Sequence, residues 1–260
     1  MKKDGIIKNL IKNHEYILYY AKIMLKTRVV GSYLGLLWLF IDPLMFMLIY
    51  SFVVMVIFKN KIEHFNVYVL IGVTAWNMFS RTIMNSTTSI VRNKAIFEQV
   101  YFHKFVYPTI ILTSFIYEFM ISFILIIIMM VFEKIPITWH LFEVIPVLFS
   151  MSMLTYGCSL IVAHIGVYLF DLRNILDFTL RFIFYLTPIM WSFDNLNFSM
   201  MWILKLNPMQ VLLGSFRSCI LYGKSPVYVY LIIISLFSCI LIKIGYSIIS
   251  KKEDEYARMI

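Results

Sequence analysis

Charge is scarce in this chain. Of its 260 residues, 14% are Asp, Glu, Lys or Arg, where a soluble domain of this size carries about a quarter. That shortage argues against a surface facing water on all sides, and so against most soluble enzymes and regulators. Cysteine is sparse as well. Cys158, Cys219 and Cys239 are scattered, with no paired spacing and no companion histidine cluster. They read as small apolar packing residues, which leaves neither a disulfide framework nor a metal site. Catalytic motifs are missing too: no H-E-x-x-H, G-x-S-x-G or paired-aspartate metal pattern occurs. Residues 218–225, SCILYGKS, imitate the end of a phosphate-binding loop. Ser218, however, stands where a glycine must leave room for backbone amides, and no strand precedes it. No repeat, linker or low-complexity segment divides the chain, so 1–260 is expected to be a single membrane domain. No cleavable leader is expected, because the first apolar run starts near Gly31, is too long and lacks a small-residue cleavage site.

Apolar residues, by contrast, make up 61% of the chain. Gly31 to Phe58 runs about 28 residues with Asp42 as its single charge, longer than the roughly 20 needed to cross hydrocarbon. In lipid every backbone polar group must be satisfied internally, which leaves helices or closed barrels, and these runs lack the alternation of a barrel. The expectation is an all-α membrane protein with six transmembrane helices, near 31–58, 66–88, 105–132, 144–170, 174–192 and 227–249. The net charge of +9 then sets orientation in the bilayer and does not point to nucleic acid.

Ahead of the first span, Ile6, Ile7, Leu10, Ile11, His14, Ile17, Leu18, Ala21, Met24 and Leu25 share an arc of roughly 140° on a helical wheel, and most lysines avoid it. A basic amphipathic helix over residues 1–30, lying in the membrane interface, is the expected form. Between the fifth and sixth spans, residues 194–226 are too apolar for an ordinary loop. Asn207-Pro208 there resembles an N-cap followed by proline at the first helical position. The helix it opens would stop at Gly223, too short to span, and so is expected to be re-entrant or interfacial on the external side. With a cytoplasmic N-terminus, the basic helix, Arg92, Lys94, Lys104, Arg173, Lys251, Lys252 and Arg258 all fall on the inner side. Both termini, including the tail 250–260, are therefore assigned to the cytoplasm.

Charges inside spans are functional candidates. Asp42 should face protein or water, turning Trp38 and Met45 the same way; a structural carboxylate bonded to backbone freed by Pro43 is the competing reading. The fifth span carries a stripe of Asn174, Asp177, Arg181, Tyr185 and Pro188 at steps of three or four, with Asp177 and Arg181 in the favourable i, i+4 order. That stripe faces either an aqueous path or a neighbouring helix. Glu118 and His164 read as lone structural polar residues. Between the second and third spans, Val91 to His103 sets Ile96, Phe97, Val100 and Tyr101 along an apolar edge, with Arg92, Lys94, Glu98 and Gln99 elsewhere. An exposed amphipathic helix at that place suggests a docking surface, with a solvated loop as the plain alternative.

Five blocks follow one another along the chain: GSYLGLLWLFIDPLMFMLIYSF from Gly31, YVLIGVTAWNMFS from Tyr68, SIVRNKAIFEQVYF from Ser89, FYLTPIMW from Phe184 and LNPMQVLLGSFRSCILYG from Leu206. In that order they resemble the permease subunits of polysaccharide-exporting ABC transporters, the family that moves O-antigen, capsule or wall teichoic acid precursors. The chain departs from the family pattern at Asp42, at His103 and at Phe170. The resemblance implies a homodimer in the bacterial cytoplasmic membrane with two ATPase subunits below, a lipid-linked polysaccharide as cargo, and ATP and Mg held by the partner, with no cofactor in this chain. Residues 91–103 would be the helix that couples to the ATPase. The first and fifth spans would line the channel, with Trp38, Phe182 and Tyr185 stacking on sugar rings beside Asp42, Asp177 and Arg181. Asn207 and Pro208 would open the external gate. An ABC permease for a drug or lipid, and an ion-coupled carrier using Asp42, Glu118 or Arg181, are the other functions considered.

Overall fold

The computed structural model describes residues 6–28, 30–57, 62–92, 103–192 and 207–259, and every regular element among them is helical. Two short helices, α1 (Ile6–Lys12) and α2 (His14–Thr27), replace the single amphipathic helix expected at the N-terminus. The break falls at Asn13, whose side-chain amide donates to the Asn9 carbonyl at 2.8 Å, a local bond that competes with the helical ladder. α2 buries Ile17 and Ala21, both on the expected apolar arc.

The first span begins later than expected. Gly31 and Gly35 have φ of +82° and +50°, a conformation that glycine adopts without penalty and that keeps a helix from starting at Gly31. A 3₁₀ turn (Gly35–Leu37) leads into α3 (Trp38–Ser51), which ends in π-helical turns (Phe52–Ile57). α4 (Phe65–Ser86) follows, then the short α5 (Ser89–Arg92), α6 (Val106–Phe132), α7 (Val144–Tyr168) and α8 (Leu172–Leu186). α8 stops short of the expected residue 192 because Pro188 holds Thr187 extended, at ψ 134°. α9 (Pro208–Ile220) and α10 (Tyr228–Met259) complete the chain.

Among the described residues, four segments are long and apolar enough to cross a bilayer: Gly35–Ile57, Val106–Phe132, Trp139–Tyr168 and Tyr228–Glu253. The two other expected spans fall short for different reasons. α4 has the length but carries Asn66, Thr74, Asn77, Ser80, Arg81, Thr82 and Asn85; it can do so because it is central, packed on α3, α6, α7, α8 and α9, and most of its residues are buried. α8 has 15 residues, about 22 Å of helix against roughly 30 Å of hydrocarbon. α10 runs through the end of the expected span at 249 without a break, so the tail is a helical extension and not a separate segment.

α7 and α10 make the most extensive pairing. Glycine permits it: a Cβ on Gly157 would lie 2.7 Å from Leu241 Cβ, and one on Gly245 would lie 2.6 Å from Leu160 Cβ. Without a hydrophobic drive between helices in lipid, such close backbone approach supplies the dispersion contacts that hold a pair together. At its far end α10 buries Tyr256 completely. His164 Nδ1 lies 2.6 Å from the Tyr256 hydroxyl, and the Lys104 amide donates to Glu253 at 2.9 Å, just ahead of α6.

Candidate functional site

A cleft of about 490 Å³ opens between α3, α4 and α8. Helical spacing builds its walls. α4 presents Trp76, Asn77, Ser80, Arg81, Met84 and Asn85, the positions that recur on one helical face. α8 presents Asp177, Leu180, Arg181, Phe184 and Tyr185, and α3 adds Phe46 and Tyr50. The rings are in mutual contact: Trp76 meets Phe184 edge-on at 5.7 Å, and Phe46 stacks on Tyr50 at 5.9 Å. Asp177 and Arg181 pair at 2.7 Å, with 71% of the Arg181 side chain still exposed. The wall therefore combines aromatic faces, amides and a neutralised ion pair.

At the edge of the cleft, Arg81 anchors a chain of four charges drawn from four helices or their ends. Its guanidinium bonds Asp42 of α3 on one side and Glu118 of α6, at 2.9 Å, on the other. The second Glu118 oxygen accepts from Arg28, just past α2, at 2.5 Å, and the Arg28 guanidinium lies over the Phe115 ring at 3.8 Å. Burial pushes the Arg28 pKa down, and the facing Glu118 carboxylate opposes that shift. Signs alternate along the chain, so each charge has an opposite neighbour.

Asp177, Arg181 and Tyr185 thus come together as the spacing suggested, and Asp42 joins them through Arg81. Trp38 and Phe182 are not among the lining residues. Trp38 is half exposed and donates to Ser32 Oγ at 2.9 Å; Phe182, one helical step past Arg181, turns outward and is 66% exposed. Glu118 is not solitary. Arg81 escaped the sequence reading altogether, although a charge inside an apolar run was the signal that singled out Asp42. Of the proposed docking segment, Arg92 closes α5, while Lys94, Ile96, Phe97, Glu98, Val100 and Tyr101 lie outside the described residues.

The short helix α9 begins as expected. Asn207 caps α9, its Oδ1 accepting from the Met209 amide at 3.0 Å, with Pro208 in the first turn; its own amide donates to Thr187 at 2.9 Å. Gly223, at φ +55°, ends the turn, and the Lys224 amide closes back on the Ser218 carbonyl at 2.9 Å. SCILYGKS is therefore a helix C-terminus. Arg217 is buried under α9 and donates to the Pro188, Tyr68 and Ile189 carbonyls, fastening α9 to α4 and to the break after α8.

Nearby, His140, Glu143 and Ser225 bring imidazole, carboxylate and hydroxyl together. His140 Nδ1 faces Glu143 at 2.9 Å and Ser225 at 3.4 Å, while Ser225 donates to Glu143 at 3.1 Å. A relay needs the base to face nucleophile and orienting acid through different nitrogens. Here one nitrogen faces both, and the cluster serves to tie the turn before α7 to the start of α10, where Tyr228 also donates to Glu143. Among the described residues no three His, Cys, Asp or Glu side chains are grouped to hold a metal.

Known proteins are similar to this chain in sequence. The O-antigen export system permease protein RfbA of Klebsiella pneumoniae is 25% identical over 237 residues, which cover 91% of each chain. The protein of the same name from Myxococcus xanthus is 25% identical over 258 residues, 98% of this chain and 99% of its own. The family model for the ABC-2 type transporter matches residues 17–221, from α2 through α9. The helices that build the cleft all lie within that stretch, and the chain belongs to the ABC-2 type transporter family.

Proposed function

We propose that this chain is the membrane permease of an ATP-driven exporter, passing a lipid-linked surface polysaccharide across the bacterial cytoplasmic membrane. The observation that carries the reading is the cleft and its open flank. A guanidinium as exposed as that of Arg181 costs about 2.5–3.5 kcal/mol at the centre of a lipid-facing helix. It is stable where α8 faces water or a second copy of the chain. Two copies related by symmetry would enclose a path walled by Tyr50, Trp76, Tyr185, Asn77 and Asn85. Aromatic faces and amides suit sugar rings, and the paired charges give such a wall little attraction for ions. The six-span arrangement, with α4 and α8 inserted among the four apolar helices and α9 as an external re-entrant gate, belongs to this reading, as do two cytoplasmic termini.

The relatives named above are permeases of O-antigen export systems, which supports polysaccharide as the cargo here. ATP and Mg would be held by a separate ATPase subunit, two per homodimer, meeting this chain through residues 91–103. Tyr185→Ala tests the path directly. Export should fall by roughly tenfold at matched protein levels, as when one stacking contact worth about 1–1.5 kcal/mol is lost. Leu236→Ala, on the exposed flank of α10, should export normally. Equal export by wild type and Tyr185→Ala would remove α8 from the path.

A further inference from the structure

A second cavity, of about 260 Å³, lies between α2, the end of α4, α5 and α6. Its floor is apolar, formed by Ile23, Met24, Ile110 and Ile111, and its polar rim includes Asn85, Thr88 and Arg92. This cavity and the cleft differ in charge. In the cleft each guanidinium has a carboxylate: Arg81 has Asp42 and Glu118, and Arg181 has Asp177. Among the described residues no Asp or Glu lines the second cavity, and the Arg92 side chain makes no ion pair or hydrogen bond. The Asn85 amide spends one hydrogen on the Arg81 carbonyl, leaving its second hydrogen, the Thr88 hydroxyl and the Arg92 guanidinium as donors at the rim. One wall is α2, the amphipathic helix whose basic and apolar faces suit the headgroup layer.

We propose that this cavity holds the phosphate headgroup of an anionic membrane lipid, with Arg92 as its counter-ion and the apolar floor receiving the first carbons of the lipid. The site requires only that the chain sit in a bilayer; it stands or falls independently of the export reading. Asn85 lines both cavities, so a bound headgroup would lie one helical turn from Arg81 and the cleft.

Native mass spectrometry of the full-length chain in detergent, titrated with phosphatidylglycerol, phosphatidylcholine or inorganic pyrophosphate, tests the site. The expected result is one retained phosphatidylglycerol per chain, bound more tightly than phosphatidylcholine. Arg92→Gln should weaken it about fivefold, the usual worth of one basic residue near an anionic leaflet, and Arg92→Lys should recover most of the loss. Thr88→Trp, which fills the cavity, should abolish retention in protein that still elutes as a single species. Phosphatidylglycerol bound equally by wild type, Arg92→Gln and Thr88→Trp would overturn the site. So would pyrophosphate bound through Arg92 without any retained lipid, since the ligand would then be a free anion.

Discussion

Arg81 holds two carboxylates, and its removal has consequences in two helices. Arg81→Met would strand Asp42 and leave Glu118 with Arg28 alone. Breaking a buried pair from one side commonly costs about 3–5 kcal/mol, because the remaining charge stays desolvated; with Asp42 and Arg81 each about a third exposed, the lower end applies. Thermal unfolding in detergent should show that loss, and adding Asp42→Asn should recover part of it, since the stranded charge is then gone. Strictly additive effects of the two substitutions would mean that the pair contributes nothing. This pairing also explains why Asp42 is tolerated in the middle of an apolar helix. The sequence marked Asp42 and Glu118 as intramembrane charges. It could not pair them with Arg81 and Arg28, because residues from α3, α4, α6 and the end of α2 meet only once the helices pack.

Among the elements, the α7–α10 seam should be the least forgiving. Gly157→Val and Gly245→Val would push side-chain carbons into Leu241 and Leu160, and overpacking of this kind costs about 1–3 kcal/mol. Gly214, on the open side of α9, meets nothing within 4 Å. Gly214→Ala should therefore be neutral or stabilising by up to about 1 kcal/mol, through helix propensity alone. Comparable melting temperatures for all three variants would show that the seam is looser than its geometry. The far end of α10 makes a second point. Tyr256 is fully buried and within reach of His164, so Tyr256→Ala should cost about 3–5 kcal/mol, which a simple solvated tail would not. An unchanged melting temperature would return residues 250–260 to that description. Tyr168 and Lys252 both bond Glu255 and hold its carboxyl below the usual range, a further sign that the end of this helix is docked.

For the whole molecule, topology is the property that one labelling experiment decides. In a background without Cys158, Cys219 and Cys239, Ile137→Cys should react with an impermeant thiol reagent in intact cells, and Lys251→Cys only after lysis. Labelling of Lys251→Cys from outside would invert the orientation drawn from the Lys and Arg distribution. Energy coupling separates the exporter from an ion-coupled carrier. The purified chain alone should hydrolyse no ATP, and Phe97→Ala should loosen the ATPase subunit roughly thirtyfold if that ring is central to the contact. Export that continues without any ATPase would favour the carrier.

Class and order of elements were legible in one dimension. Hydrocarbon demands long helices with internally satisfied backbones, and that demand is written directly as apolar runs flanked by lysine and arginine. The Asn207-Pro208 cap and the Asp177–Arg181–Tyr185 stripe were legible too, because their partners lie within a turn or two of helix. Three-dimensional packing alone decided that polar α4 takes the central position, that Trp38 and Phe182 turn away from the cleft, and that Arg92 stands at a cavity with no carboxylate among the described residues that line it. Those outcomes depend on contacts between residues far apart in the chain, and no local periodicity carries them.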